Sequence, residues 1–249
     1  MALFITFEGG DGSGKSTQAK MLYGCLLEEG FEVTLTHEPG GTEEGSHLRE
    51  LLLRPPEEFN FTESAQLLLF CASRAQLVEK VIQPALKNPN GVVICDRYAD
   101  STIAYQVFGG RMKQRLPQVL AILEFATRGI KPDLTFYLDV DIEVGLARTF
   151  GRLKSPDSPH QFINGRQLSY LDFNDFDAKY LNEKRKFQTR VRKGYNWLIE
   201  HESGRWCRVD ANSSPENVFR LIREKVDSLI RERNVIPQKS ASRTNIAVK

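Results

Sequence analysis

Cysteine is scarce in this chain: four in 249 residues, at Cys25, Cys71, Cys95 and Cys207, with no C-x-x-C pair and no neighbouring histidine. That excludes a disulfide framework and a zinc-finger spacing, and leaves free thiols suited to a reducing compartment. Long hydrophobic runs are missing too, none approaching the roughly 20 residues that cross a bilayer. The N-terminus has no basic segment ahead of an apolar one, so the expectation is a cytoplasmic protein without membrane attachment. Neither sign of charge dominates, since 34 Lys and Arg face 32 Asp and Glu for a net +2. Such a balance argues against a protein built to hold a polyanion, and no nucleic-acid partner is expected. Internal repeats are absent.

What remains is an ordinary globular composition, 41% apolar and 27% charged, on a chain long enough to bury one sizeable core. Residues 1–236 read as a single domain and the polar stretch 237–249 as a flexible tail. Short β-like runs alternate with helical ones: strands at 2–7, 31–37, 91–96, 133–140 and 206–211, and helices at 15–29, 43–53, 62–87, 101–107, 116–128, 141–149, 176–201 and 215–233. Alternation of this kind predicts an α/β fold, a parallel sheet covered by helices on both faces. Residues 151–175, rich in Pro, Ser, Asn, Asp and Gly, break the rhythm and read as a long mobile loop, a lid of about 151–177.

The stretch "EGGDGSGKST" (8–17) carries the first chemistry. Gly9 to Ser16 fits G-x-x-x-x-G-K-S/T between an apolar strand and a helical pattern, the context a P-loop requires. Gly9, Gly10, Gly12 and Gly14 let the backbone bend so that its N–H groups, with those of Asp11, Ser13 and Thr17, converge on phosphate. Lys15 adds a point charge, the following helix its positive end, and Ser16 a hydroxyl for Mg²⁺. Asp96 closes the third strand at the carboxyl edge of the sheet, where a carboxylate serves the metal's water shell or caps a helix. Arg97 follows as a bidentate phosphate clamp. These residues predict a P-loop NTPase that uses ATP, without choosing the acceptor.

The motifs "FEGGDGSGKSTQ", "HEPGGT", "LRELLL", "LLLFCASRAQ", "DRYADSTIAYQ" and "LDVDIEVGLARTFGR" stand in the order and spacing of one family. Over about residues 3–233 the chain resembles the thymidylate kinases, which make dTDP from dTMP and ATP. The resemblance implies a five-stranded sheet of order 2-3-1-4-5, a homodimer, and specific roles. Asp11 accepts the 3′-hydroxyl of dTMP, although the residues alone equally allow a loop-stabilising aspartate. Phe70 stacks on thymine and Arg74, one turn on, donates to a ring carbonyl; alone, Phe70 also reads as core. Ser101, Tyr105 and Gln106 line the same pocket, with the tyrosine against the deoxyribose. Arg49 joins Arg97 on the dTMP phosphate, and Glu38 holds water or metal near the phosphates. Arg148 forms a plate for adenine, a position where a helix arginine is otherwise simply solvated.

Gly12 stands where some members place an arginine, which resembles the bacterial type with a catalytic lid arginine. Arg152 is the candidate, ahead of Arg166 and Lys154. The family's lid is shorter and carries an Asp-Arg pair, whereas this chain reads "NDFDAK" with Asp175 in place of the arginine. The basic cluster at 179–193, interleaved with Asp177 and Glu183, reads as a solvated helix with salt pairs. Two rival functions remain: another nucleoside monophosphate kinase, with Phe70, Arg74 and Gln106 favouring a pyrimidine, or a nucleotide switch. Against the switch, the chain has no N-K-x-D guanine motif and carries a second phosphate clamp.

Overall fold

Alternation along β1 (Leu3–Glu8), buried throughout, divides the interior into two sides. Leu3, Ile5 and Phe7 point to one face of the sheet, where they meet Ala19, Leu22 and Leu26 of α1 (Lys15–Glu28) and Val218, Ile222 and Val226 of α9 (Pro215–Arg233). Phe4 points to the other, against Val93, Cys95, Leu77, Val78 and Ile82. Successive side chains on a strand face opposite ways, so a strand apolar at nearly every position has to be covered on both faces. Each fully buried aliphatic side chain there contributes about 1.5–3 kcal/mol of hydrophobic stabilisation.

The structure is a computed structural model that describes residues 2–56, 58–153, 161–163, 166–168, 178–202 and 204–237. Its main sheet joins β2 (Glu32–His37), β3 (Gly91–Asp96), β1, β4 (Leu134–Asp139) and β7 (Trp206–Asp210), in that order and all parallel. Counted among the five main strands this is 2-3-1-4-5, as expected. α2 (Glu43–Leu53) and α3 (Glu63–Leu77) follow β2, α6 (Leu116–Thr127) precedes β4, and α7 (Ile142–Leu153) and α8 (Ala178–His201) lie between β4 and β7. Ser214 caps α9 by accepting from the Asn217 N–H at 3.3 Å, with Pro215 in the first turn; there a proline's missing N–H costs nothing.

The long helix read from 62 to 87 is interrupted. α3 runs into a π-turn over Val78–Ile82 before the short α4 (Gln83–Ala85), beside Pro84, which has no N–H to return to the preceding turn. A second interruption matters more for function: α5 (Ala99–Thr102) opens into a π-turn over Ile103–Gly109 that carries Tyr105 and Gln106. Widened turns of this kind concentrate at functional sites.

One expectation needs correction. Within the stretch read as loop, β5 (Gln161–Ile163) and β6 (Arg166–Leu168) pair antiparallel as a small separate two-stranded sheet. Three-residue strands are too short to leave a period in the sequence. Residues 151–153 of the expected lid are the last of α7, and the rest of it apart from β5 and β6, with Lys154 and Asp175, lies outside the described residues, as does the tail from 238 onward.

Candidate active site

All five main strands point their carboxyl ends the same way, and the register brings polar residues to that edge: His37 is level with Asp96, Glu8 with Tyr137, and Asp139 with Asp210. Ligands of open α/β sheets bind outside this edge, where the chain's order reverses about the first strand. The P-loop fills the turn between β1 and α1. Gly12 adopts φ 75°, and any Cβ there would run into the Gly145 carbonyl of α7. Gly14 caps α1 with φ 91°, a conformation that L side chains rarely adopt.

Lys15 is buried, and its Nζ donates to the carbonyls of Gly9 (3.1 Å) and Gly10 (2.8 Å) and to Ser13 Oγ (3.1 Å). Burial, reinforced by the nearby Arg97 charge, pulls its pKa down to about 7. Next to it, the Ser16 hydroxyl donates to Asp96 Oδ2. The other Asp96 oxygen is buried and has no hydrogen-bond partner among the described residues. A hydroxyl beside a carboxylate with an oxygen to spare suits a hard divalent cation that keeps several waters.

Arg97 sits at φ 71°, an uncommon and strained backbone conformation for a non-glycine residue. Its Nη1 donates to Gly9 O (3.2 Å) and Ser101 Oγ (3.1 Å), its Nη2 to Asp11 Oδ1 (3.1 Å) and Tyr105 OH (2.9 Å). The guanidinium lies 4.6 Å from the centre of the Tyr105 ring. Tyr105 OH in turn donates to Asp11 Oδ1 at 2.7 Å. Burial works to raise the Asp11 pKa, but Arg97, Lys15 and the tyrosine hydroxyl together outweigh it and hold the carboxyl below its ordinary value. Arg97, Ser101 and Tyr105, all from the segment that follows β3, therefore come together with Asp11 of the P-loop.

Arg49 reaches from α2 to the Pro39 carbonyl at 2.8 Å. Burial, partly offset by Asp96 and reinforced by Arg97, lowers its pKa, which places both charges within electrostatic reach. Phe70, on α3, is half-buried and belongs to none of the three core clusters among the described residues. Gln106 is also half-buried, and no hydrogen bond engages its side-chain amide among the described residues.

Arg74 and Glu38 take a different arrangement from the one expected. Arg74 Nε and Nη2 donate to Glu38 Oε2 at 2.8 and 2.6 Å and Nε also to Oε1 at 3.1 Å, while Nη1 reaches Thr102 Oγ1 (3.0 Å) and Nη2 the Tyr98 carbonyl (3.1 Å). Both residues are buried. Burial, outweighing the attraction of Arg74, leaves the Glu38 carboxyl raised. Both Glu38 oxygens are thus turned to Arg74, because an isolated guanidinium at this depth would be far costlier than a missing phosphate contact. Arg148 donates to the carbonyls of Ala211 (2.8 Å) and Asn212 (3.4 Å) past the end of β7, among its contacts. Arg152 lies in α7 and Arg166 in β6, with their side chains outside the described part.

Three residues of the site escaped the sequence reading. Glu8 is fully buried and accepts from the Tyr98 N–H (2.8 Å), Ser101 Oγ (2.6 Å) and Tyr195 OH (2.7 Å). Burial and nearby Asp100, only partly offset by Arg97, push its pKa up to about 7. Tyr195 and Gln188 both come from α8, and Gln188 Nε2 donates to Asp11 Oδ2 at 2.8 Å. The basic face of α8 carries the expected salt pairs, exposed ones from Arg185 to Glu143 and Lys186 to Glu183, and one from Arg192 to the buried Asp139 at 2.9 Å. The available signal was spacing: Gln188, Val191, Tyr195 and Leu198 recur at helical intervals, so a glutamine stands on the buried face.

A P-loop at the head of a parallel 2-3-1-4-5 sheet, facing a second cluster of arginines across the same edge, defines a P-loop kinase of the nucleoside monophosphate class. A model of the family described as thymidylate kinase matches residues 7–222. The thymidylate kinase of Roseiflexus castenholzii is 41% identical over 97% of this chain and 98% of its own. That of Dehalococcoides mccartyi strain 195 is 40% identical over 93% and 99%. Among solved structures, the thymidylate kinase from Ehrlichia chaffeensis superposes with a TM-score of 0.63 at 29% identity, covering 91% of this chain and 98% of that one. The chain belongs to the thymidylate kinase family.

Proposed function

We propose that this protein transfers the γ-phosphoryl group of ATP to dTMP, giving dTDP and ADP, and that residues 1–236 form its one catalytic domain. The observation that carries this reading is the Asp11–Arg97–Tyr105 cluster beside the P-loop, an anion-and-cation pair suited to a second nucleotide rather than to ATP alone. Phosphoryl transfer needs positioning and charge stabilisation, with no covalent intermediate.

The P-loop from Gly9 to Thr17 cradles the ATP phosphates, and Lys15 turns from the loop carbonyls to their oxygens. Ser16 and Asp96 would hold Mg²⁺, which when bound neutralises phosphate charge. Arg97 and Arg49 draw the dTMP phosphate into line, where one of its oxygens attacks. Asp11 accepts the sugar 3′-hydroxyl, and Tyr105 fills the space a 2′-hydroxyl would need. Phe70 stacks on thymine, Gln106 and Arg74 address its polar edge, and Glu38 keeps Arg74 in place. Ser101 supports Arg97. Arg148 faces adenine, and Arg152 brings a late positive charge to the moving phosphoryl group.

We place the enzyme in the cytoplasm, consistent with four free cysteines; among the described residues no helix is long and apolar enough to cross a membrane. It pairs with a second copy of itself through α3 and α6, which pack side by side and leave Leu68 and Leu120 about half exposed and Phe125 83% exposed. An apolar patch on adjoining helices marks an interaction face. Light scattering should give a dimer, and Phe125→Glu a monomer.

The decisive assay is ADP release from ATP with each nucleoside monophosphate offered in turn. Stimulation should be strongest with dTMP. Stimulation by a purine monophosphate alone overturns the reading, and none by any monophosphate favours a switch.

A further inference from the structure

A hydrogen bond to Asp11 from a helix 177 residues away in sequence is an unusual expense for a P-loop, and its geometry is specific. Gln188 is 5% exposed. Its Nε2 donates to Asp11 Oδ2 at 2.8 Å while its Oε1 accepts the backbone N–H of the same Asp11 at 3.3 Å. Only one orientation of the amide satisfies both bonds, because a primary amide carries its donor and its acceptor on two different atoms of one planar group. With Asp11 Oδ1 taken by Arg97 and Tyr105, the Gln188 contact fixes the remaining oxygen and stops the carboxylate from swinging. Gly10 completes the fit, since a Cβ there would lie 3.0 Å from Gln188 Oε1.

We propose that Gln188 is a positioning residue that aims the Asp11 carboxylate at the acceptor nucleotide, so that its loss falls on dTMP much more than on ATP, whose phosphates keep the rest of the P-loop. This rests on the dTMP kinase reading. The helix does not depend on Gln188 for its own docking: Arg192 pairs with Asp139, Tyr195 donates to Glu8, and Val191 and Leu198 are buried in the core. Loss of the amide therefore frees Asp11 without releasing α8.

The test compares Gln188→Leu, Gln188→Asn and Gln188→Glu in steady-state kinetics with ATP and dTMP varied separately. Gln188→Leu should raise the KM for dTMP about ten-fold and leave the KM for ATP within about two-fold. Gln188→Glu places an anion against Asp11 Oδ2 and should be worse at neutral pH. As pH falls and the pair shares a proton, an O–H donor returns, so its dTMP KM should improve relative to Gln188→Leu. The other charged and titratable groups around this pair, Lys15, Arg97, Tyr105, Tyr137, Lys184 and Arg192, are common to all variants and cancel in that comparison.

An unchanged dTMP KM in Gln188→Leu, or an equal rise in both KM values, overturns the inference, as does a Gln188→Glu pH profile parallel to that of the leucine variant. Should Gln188→Leu fail to fold, Gln188→Asn, which keeps an amide but falls short by one methylene, carries the same KM test. Wild-type protein without dTMP-stimulated turnover contradicts the functional reading itself. Wild-type turnover with a flat Gln188 series sinks this inference alone.

Discussion

Two arginine–carboxylate pairs lie near the carboxyl edge of the sheet, and they are built for opposite purposes. Arg74 and Glu38 have side chains 2% and 4% exposed, tied by three close N–O contacts and by further bonds to Thr102 and Tyr98. Arg97 and Asp11 have side chains 20% and 39% exposed and share a single 3.1 Å contact. A dry, multiply bonded pair is costly to break, because the abandoned partner keeps its charge in a low-dielectric surrounding. A half-open pair contributes little net stability and exchanges partners easily. In the proposed dTMP kinase reading, the first pair is the fixed frame of the acceptor pocket and the second is the one that trades its partner for a phosphate.

The largest effect that would sharpen this contrast is on stability. Arg74→Ala strands Glu38 and should cost about 3–5 kcal/mol in denaturant unfolding. Replacing both partners with apolar residues, Arg74→Met with Glu38→Leu, should recover most of that loss without restoring turnover. A loss below about 1 kcal/mol in the single variant would break the comparison. Arg97→Ala should behave the other way round, losing about 100-fold or more in kcat/KM for dTMP while its unfolding free energy shifts by about 1 kcal/mol or less.

A smaller effect concerns the buried carboxylate beneath both pairs. Glu8 has a folded-state pKa of about 7 against an ordinary 4.5. Between those values the folded protein holds a proton that the unfolded chain releases. The Glu8 contribution to stability therefore declines as pH rises from about 4.5 to about 7, then levels off. Relative to Glu8→Gln, the wild type should lose about 2–3 kcal/mol across that window. Parallel pH profiles for the two proteins would remove Glu8 from the account.

The smallest effect is a fractional proton. Lys15 titrates near pH 7 in the free protein, and ATP phosphates favour its charged form. Near pH 7 ATP binding should take up roughly half a proton through this group, read by calorimetry in buffers of different ionisation enthalpy. Lys15→Met should lack that component.

These contrasts also mark what the amino-acid sequence discloses and what it hides. The P-loop was legible because local spacing and the flanking strand and helix patterns carry it; the sheet order and the pointers to Asp11, Ser101 and Tyr105 came with the family resemblance, since no residue period carries them. The fates of Arg74 and Glu38 were not, since the two are 36 positions apart and only packing of α3 against the end of β2 tells that they meet underground. Glu8 hid within an apolar strand, where a single acid looked like the edge of the P-loop motif. Gln188 and Tyr195 lay in a helix whose lysines and arginines suggested solvent, although its polar and buried faces differ by only one or two positions along the chain. Long-range polar pairing has no sequence period, which is why these parts of the site emerged only from the fold.

The most direct test of the central claim is a binding cycle that pairs Asp11 with the sugar hydroxyl it is said to hold. Calorimetric titration of dTMP and of its 3′-deoxy analogue into wild-type protein should show the hydroxyl worth about ten-fold in Kd. In Asp11→Ala the two ligands should bind alike. If the variant keeps the full preference for the 3′-hydroxyl, Asp11 does not grip the acceptor's sugar, and the two-nucleotide cleft described here is wrong.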